Sequence, residues 1–142
     1  MKNNKITLGC DPELFLEKDG EIISAEGLVG GTKQEPLPIT GEGHCIQEDN
    51  VMVEFNIPPS NNVDEFRNNI NLVKTHLKEK FEADNISLNY SASAMLDKKY
   101  LKTEQARTFG CEPDFNVWLR APNTPPRAGG RLRSCGKMPA TL

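Results

Sequence analysis

The sequence predicts an α+β fold, an antiparallel sheet with helices packed on one face. Three observations predict it. Residues 45–57 alternate, with Val51, Val53, Phe55 and Ile57 on one parity and Glu48, Asn50, Met52, Glu54 and Asn56 on the other. That is a period-two strand with one greasy and one mainly polar face. Immediately afterwards Val63, Phe66, Ile70, Val73, Leu77 and Phe81 recur at three- and four-residue spacing, a single apolar helical stripe. Strands and helices do not alternate as in a doubly wound sheet, so an antiparallel arrangement follows. A chain of 142 residues is long enough for one domain with its own core.

Each element has a local signature. Residues 6–24 read as a hairpin: Leu14-Phe15-Leu16 and Ile22-Ile23 are strand-like, and Lys18-Asp19-Gly20 is the turn between them. Residues 27–43 read as a loop, with Gly30-Gly31-Thr32-Lys33 and two prolines, Pro36 and Pro38. Residues 45–57 read as one long strand, closed by Pro58-Pro59. Asn62 and Glu65 have capping-box spacing at the start of the helix. Ile86, Leu88, Tyr90, Ala92 and Ala94 alternate as a further strand, and residues 97–107 form a short helix or irregular segment. Phe115, Val117 and Leu119 give a last brief strand signal, followed by a loop rich in proline and glycine.

A net charge of −3 gives no electrostatic reason to expect a nucleic-acid partner. Basic residues cluster only in Arg127, Arg131, Arg133 and Lys137. No apolar run has signal-peptide or membrane-span length. Cys10, Cys45, Cys111 and Cys135 form no Cys-x-x-Cys pair, and His44 and His76 lack zinc-ligand spacing. The expectation from these features is a cytoplasmic chain with reduced thiols that serve as packing residues.

One acidic segment is written twice. Gly9-Cys10-Asp11-Pro12-Glu13-Leu14-Phe15 recurs as Gly110-Cys111-Glu112-Pro113-Asp114-Phe115. Proline biases its predecessor toward extended backbone, and residues two apart in a strand share a face, with Cα atoms roughly 6.5–7 Å apart. Each copy therefore aims two carboxylates the same way, an arrangement that asks for a cation or for protonation. Glu48, Asn50, Glu54 and Asn56 add oxygen donors on the polar face of the central strand, the donor type hard cations require. A solvated outer sheet face accounts for the same pattern without any function. The Gly30-Gly31-Thr32-Lys33 segment fails phosphate-loop spacing, although a loop lysine, like Arg131 and Arg133, suits an anionic substrate. Ser134 and Cys135 have no recognisable base partner.

Taken in order along the chain, several of these segments resemble a known family. Gly9-Cys10-Asp11-Pro12-Glu13-Leu14-Phe15-Leu16, Gly30-Gly31-Thr32-Lys33, the block from Gln47 through Glu54-Phe55-Asn56-Ile57-Pro58-Pro59, Phe109-Gly110-Cys111-Glu112-Pro113-Asp114-Phe115-Asn116 and Leu132-Arg133-Ser134 are similar to the phage amidoligases, the phage-type COOH-NH2 ligases. The resemblance implies a glutamine-synthetase-like fold whose open sheet face holds ATP and Mg2+. It implies a carboxylate activated as an acyl phosphate and then attacked by an amine, with metal ions offsetting phosphate charge. By resemblance Glu13, Glu48 and Glu54 are metal or nucleotide-metal ligands, supported by Asp11 and Asn50. Asp114 and Asn116 would position the amine, and Lys33 and Arg133 the acidic substrate or phosphate. The implied partners are small-molecule or peptide carboxylates and amines, in a host cytoplasm, with homo-oligomers as in related enzymes.

The family pattern continues after its Leu-Arg-Ser segment into a Gly-His-x-His strand. Here Cys135-Gly136 leads instead into Lys137-Met138-Pro139-Ala140-Thr141-Leu142. The expectation is therefore an N-terminal part of an amidoligase-like domain over residues 1–136 and a divergent tail over 137–142. On that expectation the sheet would be incomplete and the chain would have little ligase activity alone. The alternative is a non-catalytic phage accessory module that holds a cation or a partner.

Overall fold

The computed structural model describes residues 6–108, 115–116 and 120–122. Strand β1 (Glu13–Lys18) and strand β2 (Glu21–Ile23) form the expected hairpin, with Leu16 opposite Ile23 and Lys18 opposite Glu21. Its turn needs two residues at positive φ, and Asp19 (53°) and Gly20 (80°) supply them. Upstream, Leu8 does not extend this hairpin; it exchanges backbone hydrogen bonds of 2.8 and 2.7 Å with Ser60.

The long strand expected over residues 45–57 is two strands. Strand β3 (Leu37–Pro38) precedes β4 (Cys45–Asp49), and the chain then reverses through Asn50-Val51 into β5 (Met52–Asn56). Asp49 pairs with Met52, leaving a two-residue turn. Asn50 takes φ 54° there, a conformation asparagine reaches at less cost than most residues. The polar run Glu48-Asp49-Asn50 thus closes β4 and enters a turn rather than lying in the middle of a strand. One sheet results, in the order β2-β1-β5-β4-β3, with strand β6 (Ile86–Asn89) also pairing β1. All of its pairs are antiparallel.

Helix α1 (Val63–Glu82) covers one face. Asn62 caps it by accepting from the Glu65 N–H at 2.9 Å, while the Glu65 carboxylate reaches back to the Asn61 N–H at 2.7 Å. Val73, Leu77 and Phe81 are buried against Leu14, Leu16, Ile46, Val53, Phe55 and Ile86, each worth about 1.5–3 kcal/mol of burial. Phe66 and Ile70 pack at the margin of this core, and Val63 is exposed. His44, isolated in the sequence, is buried and bridges this layer. Its Nδ1 lies 2.8 Å from Thr40 Oγ1 and its Nε2 3.2 Å from Asn69 Oδ1 on α1. Asn69 in turn donates to Ser60 Oγ at 2.9 Å. Donation from Nε2–H to Asn69 Oδ1 and acceptance at Nδ1 from the Thr40 hydroxyl satisfy every partner in that chain.

Beyond β6 the alternation of Tyr90, Ala92 and Ala94 forms no strand. Residues 97–107 contain a 3₁₀ turn (Tyr100–Lys102) and a one-turn helix, α2 (Glu104–Arg107), capped by Thr103. No helix among the described residues is long and apolar enough to cross a membrane. The chain divides into two compact units, Met1–Thr108 and Phe109–Leu142. In the second, strand β7 (Phe115–Asn116) pairs antiparallel with strand β8 (Ala121–Pro122). Val117, Leu119 and the 137–142 tail lie outside the described residues.

The loop before β4 is held close to the sheet. The Glu48 N–H donates to Gly31 O at 3.3 Å, and Gly31 has φ 76°. A β-carbon there would lie 2.6 Å from Leu37 N and 2.8 Å from Ile46 O. Both contacts are with backbone, so no side chain can move aside. Gly31→Ala should therefore cost about 2–4 kcal/mol, combining the positive-φ penalty with the clash, as read from urea unfolding. A loss below about 0.5 kcal/mol would contradict this packing.

Candidate metal centre

Directly opposed residues of an antiparallel pair share a sheet face. Glu13 is opposite Glu54, and Glu54 is opposite Gln47, so these three lie side by side on the face away from α1. Leu14, Val53 and Glu48 form the next row and lie on the other face. Glu48, expected beside Glu54, is therefore turned away from it. Because the chain reverses at Asn50, the polar parity of β4 is odd and that of β5 is even. Asp49 takes the place that the single-strand reading assigned to Glu48.

The cluster that results is Glu13, Asp49 and Glu54, with one carboxylate oxygen from each lying within 4.8 Å of the others. Glu13 is exposed, Asp49 intermediate and Glu54 buried at 6% exposure. Glu54 Oε2 has no hydrogen-bond partner among the described residues. Partial desolvation, then the Asp49 charge, pushes the Glu13 carboxyl above the usual carboxylate range; Lys33 pulls it down and Asp11 adds to the rise. Burial also raises Glu54, and it outweighs the lowering by a hydrogen bond from Gln47. Asp49 and Glu13 raise Glu54 further, and Lys33 opposes them.

The other expected residues take varied places. Asp11 is exposed and acts on Glu13 through its charge. Asn50 sits in the turn, where its Nδ2 donates to Asp49 Oδ1 at 3.0 Å. Lys33 lies in a tight turn in which Thr32 and Glu35 exchange backbone hydrogen bonds of 3.0 and 3.1 Å. Asn56, beside the cluster on β5, donates to Gln47 Oε1 at 3.5 Å. Asp114 and Arg133 lie outside the described residues, and Asn116 is on β7 in the second unit.

Glu48 has a different task. Its Oε1 accepts from the backbone N–H groups of Val29 (3.2 Å) and Gly30 (3.1 Å), and its Oε2 accepts from Gln105 Nε2 (3.1 Å). Gln105 Nε2 also donates to Asn50 O at 3.0 Å. Burial is the largest single influence on Glu48 and would raise its pKa. Hydrogen bonds from Gln105 and from the Gly27, Gly30 and Val29 backbone together overcome it, so the carboxyl titrates below its usual range.

An all-carboxylate donor set with an orphaned buried oxygen fits a hard divalent cation, which takes oxygen ligands and neutralises their mutual repulsion. Asp49 and Gln47 were missed in the sequence because their face depends on where the chain turns. Comparison of the chain with models of known protein families, with curated proteins and with solved structures finds no match.

The metal-free protein carries a cost at this cluster. A carboxyl whose folded pKa is raised contributes stability below its unfolded value, and that contribution is lost as pH rises through the folded value. Glu54→Gln removes the charge, and its amide can donate to the neighbouring carboxylates. In chelator at neutral pH, Glu54→Gln should be more stable than the native chain by about 1–3 kcal/mol, the cost of an unpaired buried acceptor. The advantage should vanish as pH falls below the ordinary carboxylate range. Thermal melts at several pH values measure both; a destabilised Glu54→Gln at neutral pH would refute the assignment.

Proposed function

We propose that the chain carries the divalent-cation site of an ATP-dependent carboxylate–amine ligase, with Glu13, Asp49 and Glu54 as the ligands of Mg2+. The single observation that carries this reading is Glu54 Oε2, a buried carboxylate oxygen with no partner beside two further carboxylates. Burying such a group is costly unless a cation or proton compensates. The family resemblance supplies the reaction class, and the antiparallel sheet with its helix on one face is consistent with a glutamine-synthetase-like scaffold.

Mg2+ keeps open positions for substrate phosphates when only a few carboxylates hold it, and when bound it offsets the charge of a transferring phosphoryl group. The chain's own residues hold the ion from one face of β1, β4 and β5. Asn50 orients Asp49, and Lys33 offers a cationic donor for phosphate or for the acidic substrate. The substrates are a small-molecule or peptide carboxylate and an amine. A second reading, a non-catalytic cation-binding module, is favoured by the fact that all three ligands lie in the first unit alone.

Titration with Mn2+ and with Mn-ATP separates the two. Asp49→Asn and Glu54→Gln should weaken Mn2+ binding by about tenfold or more, whereas Glu48→Gln should change it by less than about threefold, being on the opposite face. Mn2+-dependent ATP binding supports the ligase, and Mn2+ binding without nucleotide supports the module. Loss of Mn2+ affinity in Glu48→Gln, with Asp49→Asn unaffected, would defeat both.

A further inference from the structure

Glu48 projects from the sheet face opposite the carboxylate cluster, yet it is the most heavily hydrogen-bonded acid among the described residues near that cluster. Three donors converge on it: Val29 N–H, Gly30 N–H and Gln105 Nε2. Two of them belong to the loop that leads to Lys33. A third tie is the Glu48 N–H to Gly31 O, and Gly31 itself is pressed against Leu37 and Ile46.

These ties hold the backbone of the loop that leads to Lys33. Gly31 is held at Glu48 and Leu37 is paired with Ile46, so the Thr32–Glu35 turn sits at the edge of β4 level with Gln47. Gln47 is directly opposite Glu54 across the β4–β5 ladder. The Lys33 charge reaches both Glu13 and Glu54. We propose that Glu48 is a positioning residue: it anchors the 27–33 loop to β4 and so holds Lys33 beside the carboxylate cluster. There Lys33 opposes a bound cation and binds the phosphate groups that cation carries. This rests on the reading of the cluster as a divalent-cation site.

A lysine held near a cation site has two opposite effects. It weakens the bare ion by charge repulsion and strengthens an anion bound with the ion. A residue that merely stabilises the fold would weaken both. Gln105 extends the same anchor to the β4–β5 turn, since its Nε2 is shared between Glu48 Oε2 and Asn50 O. The loop with Lys33 and the turn with Asp49 are therefore tied to one carboxylate.

The test uses the full chain as native protein, Lys33→Met, Glu48→Ala, Glu48→Gln and the Lys33→Met/Glu48→Ala double variant. Three quantities are measured: Mn2+ affinity from the free-ion electron paramagnetic resonance signal, inorganic triphosphate affinity in saturating Mn2+, and the urea midpoint in chelator. Lys33→Met should tighten Mn2+ by about threefold to tenfold and weaken triphosphate by about tenfold or more. Glu48→Ala should shift both in the same directions, and the double variant should go no further than Lys33→Met. Glu48→Gln keeps an oxygen for both backbone donors and should restore most of the native values.

Additive effects in the double variant, or weaker Mn2+ binding in Glu48→Ala, would overturn the positioning role. If the native protein binds no Mn2+, the cation-site reading fails and the urea arm judges the anchor by itself. Lys33→Met should then lower the midpoint in the native background and much less in the Glu48→Ala background. Equal shifts in the two backgrounds would overturn it.

Discussion

The two-residue turn at Asn50-Val51 is the constraint on which the rest depends. It pairs Asp49 with Met52 and thereby sets Gln47 against Glu54 and Ile46 against Phe55. Strand pairing has a side-chain period of two, so moving the reversal by one residue would exchange the two faces of one strand. With the turn where it is, Ile46, Val53 and Phe55 meet α1, while Asp49, Glu54 and Glu13 converge on the other face. The core and the carboxylate cluster are two consequences of one register.

That register forces an unfavourable arrangement and then contains it. Glu54 is buried between buried Gln47 and exposed Glu13 in one cross-strand row. Its charge is opposed by desolvation and by Asp49 and Glu13, and favoured by a hydrogen bond from Gln47 and by the Lys33 charge. Glu48 shows how the fold treats an acid it means to keep ionised, with three hydrogen-bond donors converging on one carboxylate. Glu54 Oε2 has none. Two glutamates six residues apart thus have opposite electrostatic fates, one carboxylate satisfied at both oxygens by protein donors and the other with one oxygen unpartnered among the described residues.

Much of the fold was legible. The helix stripe from Phe66 to Phe81, the Asn62 cap and the β1–β2 turn follow from local spacing and from residues with strong conformational preferences. Of the candidate cluster, Glu13 and Glu54, named together by the family resemblance, are cross-strand neighbours, whereas Asp49 was not singled out and Glu48 lies on the other face. The error lay in treating residues 45–57 as one strand. An uninterrupted alternation looks the same whether the chain runs straight or folds back, and Asn-Val is a weaker hairpin signal than Asn-Gly. Three successive polar residues, Glu48, Asp49 and Asn50, were the available sign of a turn. Gln105 carries no motif at all, so its link to Glu48 could come only from tertiary structure.

The most direct test of the central claim is an anomalous difference map from crystals soaked in Mn2+. A peak is expected on the sheet face away from α1, within about 2–2.6 Å of carboxylate oxygens of Glu13, Asp49 and Glu54, with Glu48 still bonded to Val29, Gly30 and Gln105. A peak coordinated by Glu48, or a fully occupied soak with no density at the three carboxylates, would contradict it.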